Sequence, residues 1–188
     1  MSKPHGKLVI VIGPSGVGKS SFIDRILKDE PNFCDIITYT TRKPRVGEKE
    51  GDPYHFVTLE KFEELKKKKF FVETARVHDN FYGTPWDQIL NAWRLKKVVI
   101  IDVDVQGARV FKAAFPKALT VFLAPPNIIA LRQRIEQRGS VSNIEVRLQT
   151  AAKEMTAAHE FDHHIINDEF ELAYREFRIF IEKLLKNQ

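Results

Sequence analysis

The clearest chemistry in this chain sits in Gly13-Pro14-Ser15-Gly16-Val17-Gly18-Lys19-Ser20, which fits the pattern G-x-x-x-x-G-K-[ST]. Its glycines let the backbone curl so that successive N–H groups point inward at phosphate oxygens. A helix starting near Lys19 adds the positive end of its dipole. Lys19 can reach the β- and γ-phosphates of a nucleoside triphosphate, and the Ser20 hydroxyl is placed to bind Mg²⁺. Such a site needs a carboxylate near the metal. Asp102 ends the apolar run Val98–Ile101, which puts it at the carboxyl edge of a sheet, where ligands bind in open α/β folds. Asp104 lies two residues later. Farther along lie the groups for a second anion. Arg42 and Arg45 stand three residues apart around Pro44, a pairing suited to bidentate recognition of phosphate. Tyr54 and Tyr82 can add hydroxyl donors. Glu73 comes directly after Phe70-Phe71-Val72, where a carboxylate is either exposed by strand alternation or buried with a partner; the period leaves both open.

The elements that must position these residues alternate. Leu8–Ile12 is a wholly apolar run ending in glycine, as expected for a strand buried on both faces. Val98–Ile101, Leu119–Leu123 and His164–Ile166 resemble it. Helix-like stretches cover Ser20–Lys28, Gln106–Phe115, Ile128–Gln137 and Glu169–Lys186, the last with one apolar stripe through Phe170, Ala173, Phe177, Phe180, Ile181 and Leu184. The pattern predicts an α/β fold, a parallel sheet with helices on both faces. From about Ile37 to Gly83 the rhythm breaks. Short alternating runs at Tyr54–Val57 and Phe70–Thr74 flank a helix near Leu59–Lys69, the pattern of a small inserted mixed α/β lobe. Lys66–Lys69 reads as the solvated end of that helix. The polar piece Arg138–Asn143 separates two helical stretches.

Composition narrows the class. The chain has 188 residues, 43% hydrophobic and 14 of them Phe, enough for a packed core and against disorder. No apolar run approaches the roughly 20 residues of a membrane helix. The N-terminus lacks a signal-peptide pattern, since the apolar stretch after Lys3 and His5 breaks at Gly13-Pro14. A single cysteine, Cys34, rules out an internal disulfide and fits a reducing cytoplasm, where it reads as a packing residue. The net charge of +5 suits an anionic small molecule, and no basic stripe with interleaved aromatics points to nucleic acid. His163 and His164 are adjacent on a strand and point to opposite faces, a poor chelate even with His159 nearby.

Taken in order, GPSGVGKS, TTRKPR with the GE after it, Tyr54, FVE, FYGTP, IDVDVQGA, APP, QRG and IIND resemble the guanylate kinases over nearly the whole chain. The resemblance implies one domain of three parts: a P-loop core at about 1–36, 86–126 and 160–188, a GMP-binding lobe at about 37–85 and a helical lid at about 127–159. It also implies transfer of a phosphoryl group from MgATP to GMP, with dGMP left open as a substrate. Arg42, Arg45, Tyr54 and Tyr82 would hold the GMP phosphate. Glu73 would accept from guanine N1–H and the 2-amino group, with Thr38 and Thr84 as hydroxyl partners. Asp102 would orient the Mg²⁺ waters, with Asp104 toward GMP. Arg134, Arg138 and Arg147 would close on the triphosphate, and Asn167 would lie near the adenine. Other readings are a non-catalytic binding module of the same family and a kinase of the same fold for another phosphorylated acceptor. Lys19, Ser20 and the arginines speak against the first, and Glu73 speaks against adenine as the accepted base.

The chain departs from the family pattern in places. Thr74 stands where Trp is frequent, His78-Asp79-Asn80 replaces the usual HGN, and Thr38 stands for Ser. Between Arg138 and Arg147 the lid is shorter by about two residues, with Val141 at a usually acidic position. On a helix of otherwise fixed register, two fewer residues rotate every later side chain by about 200°. Arg147 is therefore expected to face away from the triphosphate, leaving Arg138 dominant, unless the shortening falls in the loop before the helix.

Overall fold

The computed structural model describes residues 6–77, 79–137 and 143–186. Five parallel strands form its central sheet: β1 (Leu8–Ile12), β2 (Phe33–Cys34), β8 (Val98–Val103), β9 (Leu119–Ala124) and β10 (His163–Ile166), in the order β10-β9-β1-β8-β2. Every pairing between them is parallel. β1 lies in the middle because all five of its residues are buried, which only an inner strand covered on both faces allows.

The alternation along β1 sorts the two faces. Val9 and Val11 pack with Phe22, Ile23 and Ile26 of α1 (Lys19–Asp29) and with Ala173, Phe177 and Ile181 of α7 (Phe170–Lys186). Leu8, Ile10 and Ile12 pack with Ile89, Ala92 and Trp93 of α3 (Trp86–Arg94) and with Val105, Ala108 and Phe111 of α4 (Val105–Ala114). Helices thus cover both faces, as the sequence predicts. The fifth strand and α3 were not expected. A two-residue strand carries no period, whereas α3 has readable signals: Pro85 before it, Asp87 in its first turn and Ile89, Ala92 and Trp93 on one face.

A second, mixed sheet has the order β4-β5-β3-β7-β6. It comprises β3 (Tyr39–Thr40), β4 (Lys49–Glu50), β5 (Pro53–Phe56), β6 (Phe71–Val77) and β7 (Asn80–Pro85), with α2 (Leu59–Lys67) beside it. Phe62 of α2 is fully buried and stacks on Phe71 at 4.9 Å between ring centroids, so one aromatic side chain fastens helix to sheet. Thr58 caps α2 by accepting from Lys61 N–H at 3.2 Å, and Lys66 and Lys67 end it exposed. Beyond β9, α5 (Ile128–Gln137) and α6 (Ile144–Thr156) pack on each other through Leu131, Ile135, Leu148 and Ala151, a cluster separate from both sheet cores. None of the helices among the described residues is long and apolar enough to cross a membrane.

Candidate active site

The glycine-rich loop leaves β1 where the strand ends. Gly13 has φ +144°, and a Cβ there would sit 2.2 Å from the Leu123 carbonyl oxygen on the neighbouring strand, so only glycine fits. Gly18, also at positive φ, caps α1, whose first N–H groups open toward the loop. The Lys19 ammonium donates to Gly13 O at 2.7 Å and to Pro14 O at 3.4 Å, curled over the loop it belongs to. Asn167, just past β10, braces the loop from the far side: its Nδ2 donates to Val17 O at 2.7 Å. Its Oδ1 is buried with no partner among the described residues. Arg134 of α5 donates to Asn167 O at 2.8 Å and to Asp168 O at 3.1 Å. Gly16, Val17, Gly18, Arg134 and Asn167 line one cavity of about 340 Å³.

Arg147 corrects an expectation. Rather than facing away, its guanidinium donates to Ser15 Oγ at 2.8 Å, at the tip of the phosphate loop. α6 begins at Ile144, and its register toward the P-loop is set by Leu148 and Ala151 packing on α5. Arg138 lies outside the described residues.

A second cavity, of about 170 Å³, runs from the P-loop toward the small sheet. Ser20, Thr38, Tyr54, Thr84 and Asp102 all line it, which brings five of the expected residues to one place. Asp24, Asp35 and Ile36 line it too, and the sequence reading missed them. Asp24 stands one helical turn beyond Ser20, and Asp35 comes just after β2 at the same sheet edge as Asp102; both placements were readable. Desolvation in the cleft pushes the Asp35 carboxyl up to about 7, with the Asp102 and Asp24 carboxylates adding to the rise.

Glu73 resolves its open reading: it is buried at 9% exposure. It pairs across the ladder with buried Thr84 and faces the N-terminal turn of α4, where a Cβ on Gly107 would come within 3.5 Å of its carboxyl carbon. Burial pushes Glu73 up to about 7, and the Asp104 carboxylate adds to that. Asp104 has a structural task as well: its Oδ1 caps α4, accepting from Gly107 N–H at 2.7 Å.

Arg42 is held in a fork. Its two terminal nitrogens donate to the two oxygens of Glu48, each at 2.9 Å, and its guanidinium lies 5.3 Å from the Tyr54 ring centre. The Glu48 carboxylate raises the Arg42 guanidinium above its ordinary value, and Tyr82 adds to it. Arg45 is exposed beside this pair, its backbone N–H donating to Glu48 at 2.8 Å. A carboxylate gripped by two nitrogens of one guanidinium has the geometry in which arginine holds a phosphate.

A glycine cradle at the carboxyl edge of a parallel sheet, with a lysine and a helix N-terminus turned into it, defines a P-loop nucleotide-binding protein. The family model described as guanylate kinase matches residues 5–184. A guanylate kinase of Bdellovibrio bacteriovorus is 48% identical over 95% of this chain and 98% of its own length. One of Trichormus variabilis is 42% identical over 93% of this chain and 88% of its own. The crystal structure of guanylate kinase from Anaplasma phagocytophilum superposes with a TM-score of 0.77 at 26% identity, covering 96% of this chain and 87% of that one. The chain belongs to the guanylate kinase family.

Proposed function

We propose that this chain transfers the terminal phosphoryl group of ATP to GMP, giving ADP and GDP. The observation that carries the reading is Glu73, a buried carboxylate beside Thr84, in the lobe whose cavity opens onto Ser20 and Asp102. Guanine offers two adjacent donors, N1–H and the 2-amino group, and one ionised carboxylate accepts both. Adenine offers an acceptor at N1 and would leave Glu73 buried and unpaired, a loss of several kcal/mol.

In this reading residues 37–85 are the acceptor lobe and 127–159 the lid. The GMP phosphate takes the place of the Glu48 carboxylate in the Arg42 fork, with Arg45, Tyr54 and Tyr82 beside it. Thr38 and Thr84 supply hydroxyls to the base. ATP lies with its phosphates on the Gly13–Ser20 backbone, where Lys19 and Arg147 neutralise the group in transit. The orphaned Asn167 Oδ1 suits the 6-amino group of adenine, since Val17 O already fixes which way the amide points.

Mg²⁺ fits the donors at hand. Ser20 and Asp102 are hard oxygen ligands on one cavity, and among the described residues no three His, Cys, Asp or Glu side chains could hold an ion by themselves. Such a site suits an ion that keeps its waters and arrives with phosphate. When bound, it would neutralise charge on the phosphates. The acceptor oxygen is already anionic at neutral pH, so no general base is needed; positioning and charge stabilisation carry the reaction.

ADP release from MgATP, measured with GMP, dGMP, AMP, CMP and UMP in turn, tests this. Rapid release with GMP and none with AMP is expected. Equal rates with all acceptors, or none, would sink the assignment.

A further inference from the structure

We propose that Glu48 is an internal stand-in for the acceptor phosphate: its carboxylate closes the Arg42 fork, and a phosphate monoester enters only by expelling it. The inference rests on the function proposed above and deepens it, from which residues hold the acceptor to what the acceptor must displace.

Among the described residues, every hydrogen bond to the Glu48 carboxylate comes from a group suited to phosphate. Oε1 accepts from Arg42 Nη2 and Oε2 from Arg42 Nη1, each at 2.9 Å. Oε2 also accepts from the Arg45 backbone N–H at 2.8 Å. The Arg42 side chain is 13% exposed and that of Glu48 18%, so water screens this pair less than an ordinary surface ion pair. The Arg42 guanidinium holds the Glu48 carboxyl below its ordinary range, and the Arg45 N–H adds to that. An ionised carboxylate thus sits between the two arginines expected to hold the second anion, with bidentate geometry on one of them.

Holding Arg42 in place is a task that other groups already perform. Its Nη1 also donates to Lys43 O at 2.9 Å, and the guanidinium lies 5.3 Å from the Tyr54 ring centre and 5.6 Å from that of Phe56. Glu48, by contrast, hangs on a turn that stands in solvent. Its N–H donates to Arg45 O at 3.0 Å, Val46 is fully exposed, and a Cβ on Gly47, at φ +90°, would meet nothing within 4 Å. Rotation of the side chain carries the carboxylate into water with the turn intact. The exchange favours phosphate, because a phosphate monoester at neutral pH brings more negative charge than a carboxylate and spreads it over three oxygens. Weaker monoanions lose the same exchange, so the fork stays closed to them. The closure has a cost: affinity for the acceptor is reduced by the fraction of molecules in which Glu48 holds the fork.

The test uses the whole chain with Glu48→Gln, which keeps the shape and removes the charge. Steady-state kinetics give kcat and KM for GMP, calorimetry gives the Kd for GMP without ATP, and an NMR titration gives the Kd for inorganic phosphate. KM and Kd for GMP are expected to fall by at least about threefold, and the Kd for phosphate by a similar factor. In a background of Arg42→Ala, Glu48→Gln should bring no gain in phosphate affinity, which assigns the gain to the fork and not to the P-loop. If the Gln variant does not fold, Glu48→Ala is read by the same criteria. Unchanged or higher KM and Kd would make Glu48 a support for Arg42 and overturn the proposal, as would a phosphate gain that persists without Arg42. The phosphate titration needs no turnover. A chain that failed to phosphorylate GMP would fail the functional reading, while the titration would still report whether Glu48 covers the fork.

Discussion

Glu73 shows how far one side chain can carry a reading. Burial lifts its carboxyl from 4.5 to about 7. A carboxyl raised in the folded state binds its proton more tightly folded than unfolded, so stability falls as pH climbs from its ordinary value through about 7 and levels off above. The shift amounts to about 3 kcal/mol. Glu73→Gln cannot ionise and should melt higher than the unsubstituted protein at pH 8, with the gap closing toward pH 5; scanning calorimetry at both pH values checks this. The same variant accepts from only one of the two guanine donors, so its GMP-over-AMP ratio in kcat/KM should fall by at least about tenfold. An unchanged ratio in a folded variant would put the base elsewhere. Lys19→Ala should lower turnover about a thousandfold while the fold persists, since its ammonium faces the loop and not the core. Near-normal turnover in a folded Lys19→Ala protein would refute the phosphoryl-transfer site.

At the level of elements, α6 and α4 make the sharpest claims. With Arg147 against Ser15, Arg147→Ala should lower kcat by on the order of tenfold to a hundredfold; steady-state kinetics decide, and a kcat within twofold would return Arg147 to the surface. On α4, Gly107 already leaves a Cβ only 3.1 Å from Val103 Cβ and 3.5 Å from the Glu73 carboxyl carbon. Gly107→Val should push Glu73 aside and raise KM for GMP by at least about tenfold, with ATP affinity by calorimetry unchanged. Long elements were legible beforehand because length gives a period: β1, the loop after it and the apolar stripe of α7 needed no structure. The two-residue strands β2, β3 and β4 have no period to read, and their pairing is settled only by contacts distant in the chain. The direction of Arg147 was illegible for another reason. A count of missing residues does not say whether a helix or its preceding loop gave them up, and packing of Leu148 and Ala151 decides that. Asp104 as a helix cap was within reach, since an aspartate three residues before the glycine N–H it accepts from is a familiar start signal.

Over the whole molecule, the two faces of the central sheet divide the labour. The α1–α7 face holds the phosphate loop still through Phe22, whose ring meets Phe170, Tyr174 and Phe177 edge-on at 5.2, 5.9 and 5.4 Å. Phe22→Ala should cost about 3–5 kcal/mol and lower the melting temperature by about 10 °C; a drop under two degrees would mean that the cluster does not anchor the loop. The α3–α4 face instead supports the acceptor lobe, through Glu73 and Gly107. The pair α5 and α6 packs mainly on itself, because Leu131, Ile135, Leu148 and Ala151 fill one another's spaces, with Met155 near the end of α6 lying against the α3–α4 core. That makes the hairpin an interchangeable part. Transplanted as one piece from a relative, with its four internal side chains travelling together and Met155 kept, it brings its own packing and leaves both sheet cores as they were. A chimera made this way should assemble as readily as either parent, whereas exchanging one helix of the pair without the other would set two mismatched halves against each other.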